Sequence, residues 1–199
     1  MRLYIKGDYA KKIAFGYREL AEKMWYVEKN NEPLDISYAG GDEPLQEDFF
    51  ISLRLNKFGE KWSDIPLEFP LLSHLYETLQ LAFEDAFATD YSSNGDCLRI
   101  ASSHLELLTV DKRAMYIMAL EVARAIDGQI SEDDKVTWQN PDEFEKNHQD
   151  VLSLTYEEAT DLSLEEIKTM EVINDPTWAE DDKRLEDYQR WIDENTFGF

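Results

Sequence analysis

Apolar residues recur with two different periods along this chain, and the mixture limits the folds that it can adopt. They alternate with polar residues over 3–5, 51–55 and 97–102, which is typical of strands with one buried face, and 34–38 is a further candidate strand. Elsewhere their spacing is helical. Because helices and strands do not alternate regularly, we predict an α+β fold: a small, mostly antiparallel sheet packed with several helices, followed by an acidic helical C-terminal part.

Helical spacing predicts three helices in the first two thirds of the chain. Asp8 would cap the first, Pro70 lies near the start of the second, and Asp111 would cap the third, which Gly128 ends. Their apolar faces are, in order, Ile13, Tyr17, Leu20 and Met24; Leu72, Leu75, Leu79 and Phe83; and Met115, Met118, Val122 and Ile126. We expect the core to include Leu53, Leu75, Leu79, Met118 and Val122.

The last third of the chain combines helix start signals with most of the negative charge. The helix starts are Asn140 before Pro141, two capping boxes (Thr155 with Glu158, Ser163 with Glu166), and Asp175 before Pro176, which opens a helix with Leu185, Tyr188 and Ile192 inside. Residues 141–199 have a net charge of 5 − 18 = −13, against 15 − 25 = −10 for residues 1–140. We therefore predict an α+β core over 1–140 and an acidic helical extension over 141–199 that packs on it.

The formal charge of the whole chain is 20 − 43 = −23, which restricts its partners. Such a charge opposes direct binding to DNA or RNA and favours a basic protein. We find neither a secretory signal nor an apolar run of about 18 residues, so we expect no membrane contact. With Cys97 as the lone cysteine, a reducing, cytoplasmic setting is expected, and this thiol is expected to be buried and unreactive.

No spacing in the chain matches a catalytic motif or a complete metal site, so we predict no cofactor and favour a protein that is not an enzyme. The spacing Glu145-x-x-His148 is half of a di-iron carboxylate site, but the second half is missing. Residues 127–138 have the length of a calcium loop but carry Glu132 at the sixth position and Trp138 at the twelfth, which excludes an EF-hand. Folding is therefore expected to need no metal.

Aromatic residues flanked by acids suggest where a partner would bind, because aromatics anchor protein interfaces and charges steer association. Residues 129–130 and 136–138 predict a hairpin whose tip, 131–135, is acidic. A second acidic run precedes the end of the chain. The candidate partner-binding residues are Glu132, Asp133, Asp134, Trp138, Glu180, Asp181 and Asp182.

Residues 127–144 combine a helix that ends in Asp127-Gly128, the acidic hairpin tip, Trp138, and the run Pro141-Asp142-Glu143-Phe144. This stretch resembles an element of small acidic uncharacterised bacterial proteins, some of which are grouped with polymorphic-toxin immunity proteins. The resemblance implies a non-catalytic cytosolic protein that binds an effector. We therefore expect an immunity-type inhibitor of a basic effector. The alternatives are an acidic regulatory or DNA-mimic protein, and an enzyme without a readable motif.

Overall fold

The computed structural model describes residues 1–25, 36–39, 49, 51–57, 60–63, 71–84, 96–170 and 190, with the backbone alone at 36–39, 60 and 72. Residues 1–169 form one compact unit and residues 170–199 a second. The strands are β1 (Arg2–Lys6), β2 (Ile36–Ala39), β3 (Ile51–Asn56), β4 (Tyr76–Phe83), β5 (Leu98–Ser102) and β6 (Gln129–Ser131). The helices are α1 (Tyr17–Trp25), α2 (Glu60–Ser63), α3 (Thr109–Ala125), α4 (Pro141–Asn147), α5 (Gln149–Leu152) and α6 (Tyr156–Thr169), and a 3₁₀ turn covers Leu71–Leu75.

The six strands form one sheet in the order β2-β3-β4-β5-β1-β6, and each of these pairings is antiparallel. The N-terminal strand β1 lies between β5 and β6, so Ile5 is opposite both Leu98 and Ile130. An antiparallel sheet with helices outside regular strand–helix–strand units defines the α+β class, which confirms the predicted fold class.

One face of the sheet is apolar and is fully buried at Leu3, Ile5, Leu53, Leu79 and Ile100. Helices α1 and α3 pack against strands of this sheet, and α3 also packs against α1, α4, α5 and α6. Eleven of the 17 residues of α3 are buried for this reason, so α3 is the central element of the described unit. The expected core residues Leu53, Leu79, Met118 and Val122 are confirmed as buried, whereas Leu75 is half-buried.

The predicted second helix over 72–83 is wrong, because this segment is a 3₁₀ turn followed by strand β4. Leucines at 72, 75 and 79 have helical spacing, but Glu77, Leu79 and Leu81 also alternate, and these three side chains are fully buried. The ladder to β3 pairs Leu79 with Leu53. Side-chain packing between neighbouring strands therefore determines the structure of this segment, although its leucine spacing also fits a helix.

Two of the helices also begin differently from the prediction. The first helix begins at Tyr17, and Asp8 instead accepts a hydrogen bond from the Ala10 amide, 3.1 Å away, within a turn. Helix α3 lies where it was predicted, but its N-cap is Leu108, and Asp111 is a buried residue of the first turn. At the other end of α3, Asp127 adopts a positive φ of 47°. Gly128 is needed for close approach, because a Cβ there would lie 2.7 Å from the Lys6 carbonyl oxygen.

Helices α4–α6 belong to the same compact unit as the sheet. The capping box at Asn140 and Glu143 and the one at Thr155 and Glu158 are both confirmed by reciprocal hydrogen bonds. The third capping box is wrong, since Ser163 and Glu166 lie inside α6. The predicted last helix, with Asp175, Leu185, Tyr188 and Ile192, lies outside the described residues.

Candidate functional site

The predicted acidic hairpin tip is a turn held together by its own acids. Asp133 accepts hydrogen bonds from the Ser131 hydroxyl (2.9 Å), the Thr137 amide (2.8 Å) and the Thr137 hydroxyl (2.6 Å). The bonds from Thr137 and Ser131 hold the pKa of Asp133 at about 2, so it stays charged. The predicted second strand of the hairpin, 136–138, is wrong: these residues form no strand, an isolated bridge pairs Ile130 with Gln139 instead, and Val136 is 78% exposed.

The remaining predicted residues of this region tie the turn to neighbouring elements. Glu132 lies 2.7 Å from His148 Nε2, and Asp134 accepts a 3.2 Å hydrogen bond from the Tyr4 hydroxyl. Trp138 lies under the Lys6 ammonium, 4.1 Å from the ring centroid. The three side chains therefore hold the turn in place, while Asp133 and Asp134 stay exposed on its outside. The other predicted cluster, Glu180, Asp181 and Asp182, lies outside the described residues.

Helix α6 presents a second acidic surface. Its exposed residues Glu158, Asp161 and Glu165 flank Leu162, whose exposed fraction is 49%. Lys61 pairs with Asp161 and Lys168 pairs with Glu165, and all four of these side chains are about half exposed or more. We call Glu158, Asp161, Leu162 and Glu165 the α6 face. An exposed leucine among carboxylates is the pattern of an apolar anchor with a charged rim.

The inner side of α6 supports helix α3. The Ser163 hydroxyl accepts a 2.9 Å hydrogen bond from the Val110 amide, and Glu166 Oε2 accepts a 2.7 Å bond from the Thr109 amide. The Thr109 hydroxyl also donates to Glu166. The first amides of α3 have no partners within the helix, so α6 provides the cap that Leu108 cannot. These contacts hold helix α6 against the central helix.

A pair of buried charges lies near one end of the sheet. Lys57, directly after β3, has its ammonium nitrogen 2.8 Å from Asp111 Oδ1 on α3, and both side chains are fully buried. The same ammonium group donates a 2.8 Å hydrogen bond to the His74 carbonyl oxygen. No hydrogen bond of good geometry reaches either Asp111 oxygen within the described part of the chain. Burial raises the pKa of Asp111 to about 6, although Lys57 opposes the shift.

A second buried carboxylate, Glu77, lies near this pair. Its side chain contacts His104, which in turn contacts Ser73. Glu77 Oε2 lies 2.6 Å from His104 Nδ1, and His104 Nε2 lies 2.9 Å from the Ser73 hydroxyl oxygen. The ladder that pairs Leu79 with Ser102 brings His104 opposite Glu77 when continued by two residues. The His74 ring stacks on His104 with 4.0 Å between centroids. We call Ser73, Glu77 and His104 the polar triplet.

The sequence did not reveal the polar triplet, because the register of β4 with β5, and not a short spacing along the chain, brings Glu77 and His104 together. The available signal was Glu77, an acid on the same alternating face as Leu79 and Leu81. A charged side chain at such a position is seldom fully buried without a partner. Recognising β4 as a strand would have directed attention to Glu77 and to the strand that pairs with it.

The other candidate groups have structural partners. Cys97 is buried, and this burial raises the pKa of its thiol to about 11, which disfavours the reactive thiolate. Glu145 pairs with Arg124 and His148 with Glu132. Within the described residues, no group of three or more histidine, cysteine or acidic side chains is placed to hold a metal ion. None of the helices in that part of the chain has the length and apolarity that crossing a bilayer requires.

Comparisons with protein-family models, with curated proteins and with solved structures found no match for this chain.

Proposed function

We propose that the protein is an acidic protein-binding module, of the kind that inhibits a basic effector as immunity proteins do. The observation that carries the proposal is the α6 face, where exposed Leu162 is flanked by Glu158, Asp161 and Glu165. Apolar side chains supply the affinity of an interface when a partner covers them, and the surrounding charges select and orient that partner.

The net charge of −23 supports a basic partner. Opposed charges raise association rates by about 10–10³ at low ionic strength, and a protein that handles nucleic acid must carry positive charge. An acidic inhibitor would meet such a protein quickly and compete with its nucleic acid. The exposed turn acids Asp133 and Asp134 would extend the contact surface, and Glu180, Asp181 and Asp182 remain proposed partner contacts.

The test is capture of partners by the tagged chain from lysate of its own cell at low and high salt, followed by kinetics with each purified partner. We expect a basic protein whose association slows as salt increases. The variant Asp161→Lys/Glu165→Lys should slow this association, and Leu162→Ser should speed dissociation. Glu22→Lys/Glu106→Lys is the matched control, since it changes the net charge equally at exposed sites that are not part of α6.

Three outcomes would contradict the proposal. The first is equal slowing by the α6 pair and by the control pair, which would mean that net charge and not this face controls association. The second is that every captured protein binds as well at high salt as at low salt and is insensitive to Leu162→Ser. Direct, tight binding of the purified chain to DNA or RNA would also refute it, because the proposed chemistry excludes a phosphate backbone as the partner.

A further inference from the structure

We propose that Ser73, His104 and Glu77 form a nucleophile–base–carboxylate triad that can accept an acyl group from a small activated ester. The two contacts of 2.9 Å and 2.6 Å place the three groups in the order that such chemistry requires. Neither the acidity of the chain nor the α6 face bears on this site. The proposal therefore goes beyond partner binding and would survive the failure of that function.

The carboxylate is fixed by the backbone. Glu77 Oε1 accepts hydrogen bonds from the Ser103 amide (2.7 Å) and the Thr78 amide (3.1 Å), and the side chain is fully buried. Its other oxygen, Oε2, is left facing His104 Nδ1. An ionised carboxylate accepts hydrogen bonds and cannot donate them, so the imidazole carries its proton on Nδ1. The Nε2 lone pair then faces the Ser73 hydroxyl, as a general base requires.

The histidine is held from two further sides. Its carbonyl oxygen accepts hydrogen bonds from the N-terminal amine (2.9 Å) and from the Ser102 hydroxyl (2.6 Å), which fix the backbone at the end of β5. His74 stacks on the ring with an angle of 25° between the planes. Burial lowers the pKa of His74 to about 4, so this stacked ring is neutral at pH 7 and adds no positive charge beside the base.

Burial increases from the nucleophile to the carboxylate. Ser73 is of intermediate burial, the His104 side chain is 12% exposed and the Glu77 side chain is fully buried, so the carboxylate is the most shielded of the three groups. Ser73 belongs to the 3₁₀ turn Leu71–Leu75, which leads directly into β4 and so places the hydroxyl four residues before Glu77. A short, folded connection of this kind keeps nucleophile and carboxylate on one rigid element.

The reaction balances without an added oxidant or reductant. Ser73 Oγ forms a bond to the acyl carbon as His104 Nε2 takes the hydroxyl proton, and the carbonyl electron pair moves onto the carbonyl oxygen. When the carbonyl reforms, the bond to the leaving alcohol breaks and His104 returns the proton to that oxygen. Water then attacks the Ser73 ester by the same route, with His104 as its base, and releases the acid and free Ser73.

The experiment uses the full-length chain with a small fluorophosphonate and with p-nitrophenyl acetate. We expect one covalent adduct, mapped to Ser73 by peptide mass spectrometry. The adduct should be lost in Ser73→Ala, together with at least ten-fold of the ester turnover. Ser153→Ala is the control, because it removes an exposed serine hydroxyl that is not part of the polar triplet or its supporting contacts. This control should label and turn over ester as the wild type does.

The variant Glu77→Gln separates a general base from a structural histidine. It removes the carboxylate that faces His104 Nδ1 and should abolish or strongly slow the labelling of Ser73. Circular dichroism of each variant verifies the fold. Absence of an adduct at Ser73, under conditions that label an established serine hydrolase, would overturn the proposal. An adduct that persists in Ser73→Ala, or labelling of Ser73 at the wild-type rate in folded Glu77→Gln, would also overturn it.

Discussion

Replacing Lys57 by methionine tests the buried ion pair directly. Methionine keeps most of the apolar stem of lysine and removes the ammonium group, which lies 2.8 Å from Asp111 and 2.8 Å from the His74 carbonyl oxygen. The variant therefore leaves a fully buried carboxyl group without its cation, and a carbonyl without its donor. We expect Lys57→Met to fold but to be much less stable than the wild type at neutral pH.

The size of the loss follows from two terms. The pKa of Asp111 is about 6 beside Lys57, and loss of the cation raises it further. Each unit of that rise costs about 1.4 kcal/mol where the wild-type carboxyl is ionised. The unpaired carbonyl costs about 1–3 kcal/mol. At pH 7, one unit above the wild-type pKa, the first term is at most about 1.4 kcal/mol, because a carboxyl whose pKa rises past 7 becomes protonated; the sum is therefore about 2–4 kcal/mol. At pH 5 Asp111 is largely protonated in both proteins, so about 1–3 kcal/mol remains.

Urea unfolding at pH 7 and at pH 5, followed by tryptophan fluorescence, measures both numbers. The matched control is Lys61→Met, since Lys61 pairs with Asp161 in an exposed ion pair, and this variant should cost less than about 1 kcal/mol at either pH. The double variant Lys57→Met/Asp111→Leu should recover most of the loss because no buried charge then lacks a partner. A loss in Lys57→Met that is equal at both pH values, or below about 1 kcal/mol, would refute the reasoning.

Three other predictions concern stability. Leu79→Ala should cost about 2–5 kcal/mol in urea unfolding because Leu79 is fully buried; wild-type stability would contradict its place in the core. Ser163→Ala should cost about 1–2 kcal/mol because the Val110 amide loses its buried partner, whereas exposed Ser153→Ala should cost less than about 0.5 kcal/mol. The folded-state pKa of His74 is about 4 against 6.5 in a free side chain, so the unfolded chain takes up a proton first on acidification. Stability should therefore fall between pH 6.5 and 4, by less than the roughly 3 kcal/mol of the full pKa difference because solvent screens the partly exposed ring, and His74→Phe should lose less over that range.

Local patterns predicted much of this fold because their signals act within a few residues. Alternation located β3 and β5, and the capping box at Asn140 located α4. Predictions failed where a long-range contact decided the outcome. Leu79 reads as helical with Leu72 and Leu75, yet it pairs with Leu53 on β3. The spacing of residues along the chain does not predict such a pairing, since strand pairing depends on contacts throughout the sheet.

Helix α3 shows the same limit at its start. Asp111 has the residue type and position of a cap, but its carboxylate points to Lys57, which is 54 positions away in the chain. The α3 amides bond instead to Ser163 and Glu166, which the sequence predicted to cap a helix of their own. In both cases a polar side chain that fits a local helix cap instead contacts a residue that is distant in the sequence. The polar triplet was invisible for the same reason.

The buried charges of the described unit support a chemical role for the polar triplet. A buried ion pair can often be replaced by apolar side chains with no loss of stability, so the stability of the core does not by itself account for Lys57, Asp111 and Glu77. The surface already carries the charge that solubility requires. Glu77 also bonds to two amides and directs its other oxygen at His104, an arrangement that orients His104 towards Ser73. Burial and orientation together favour a chemical role for the polar triplet over a packing role.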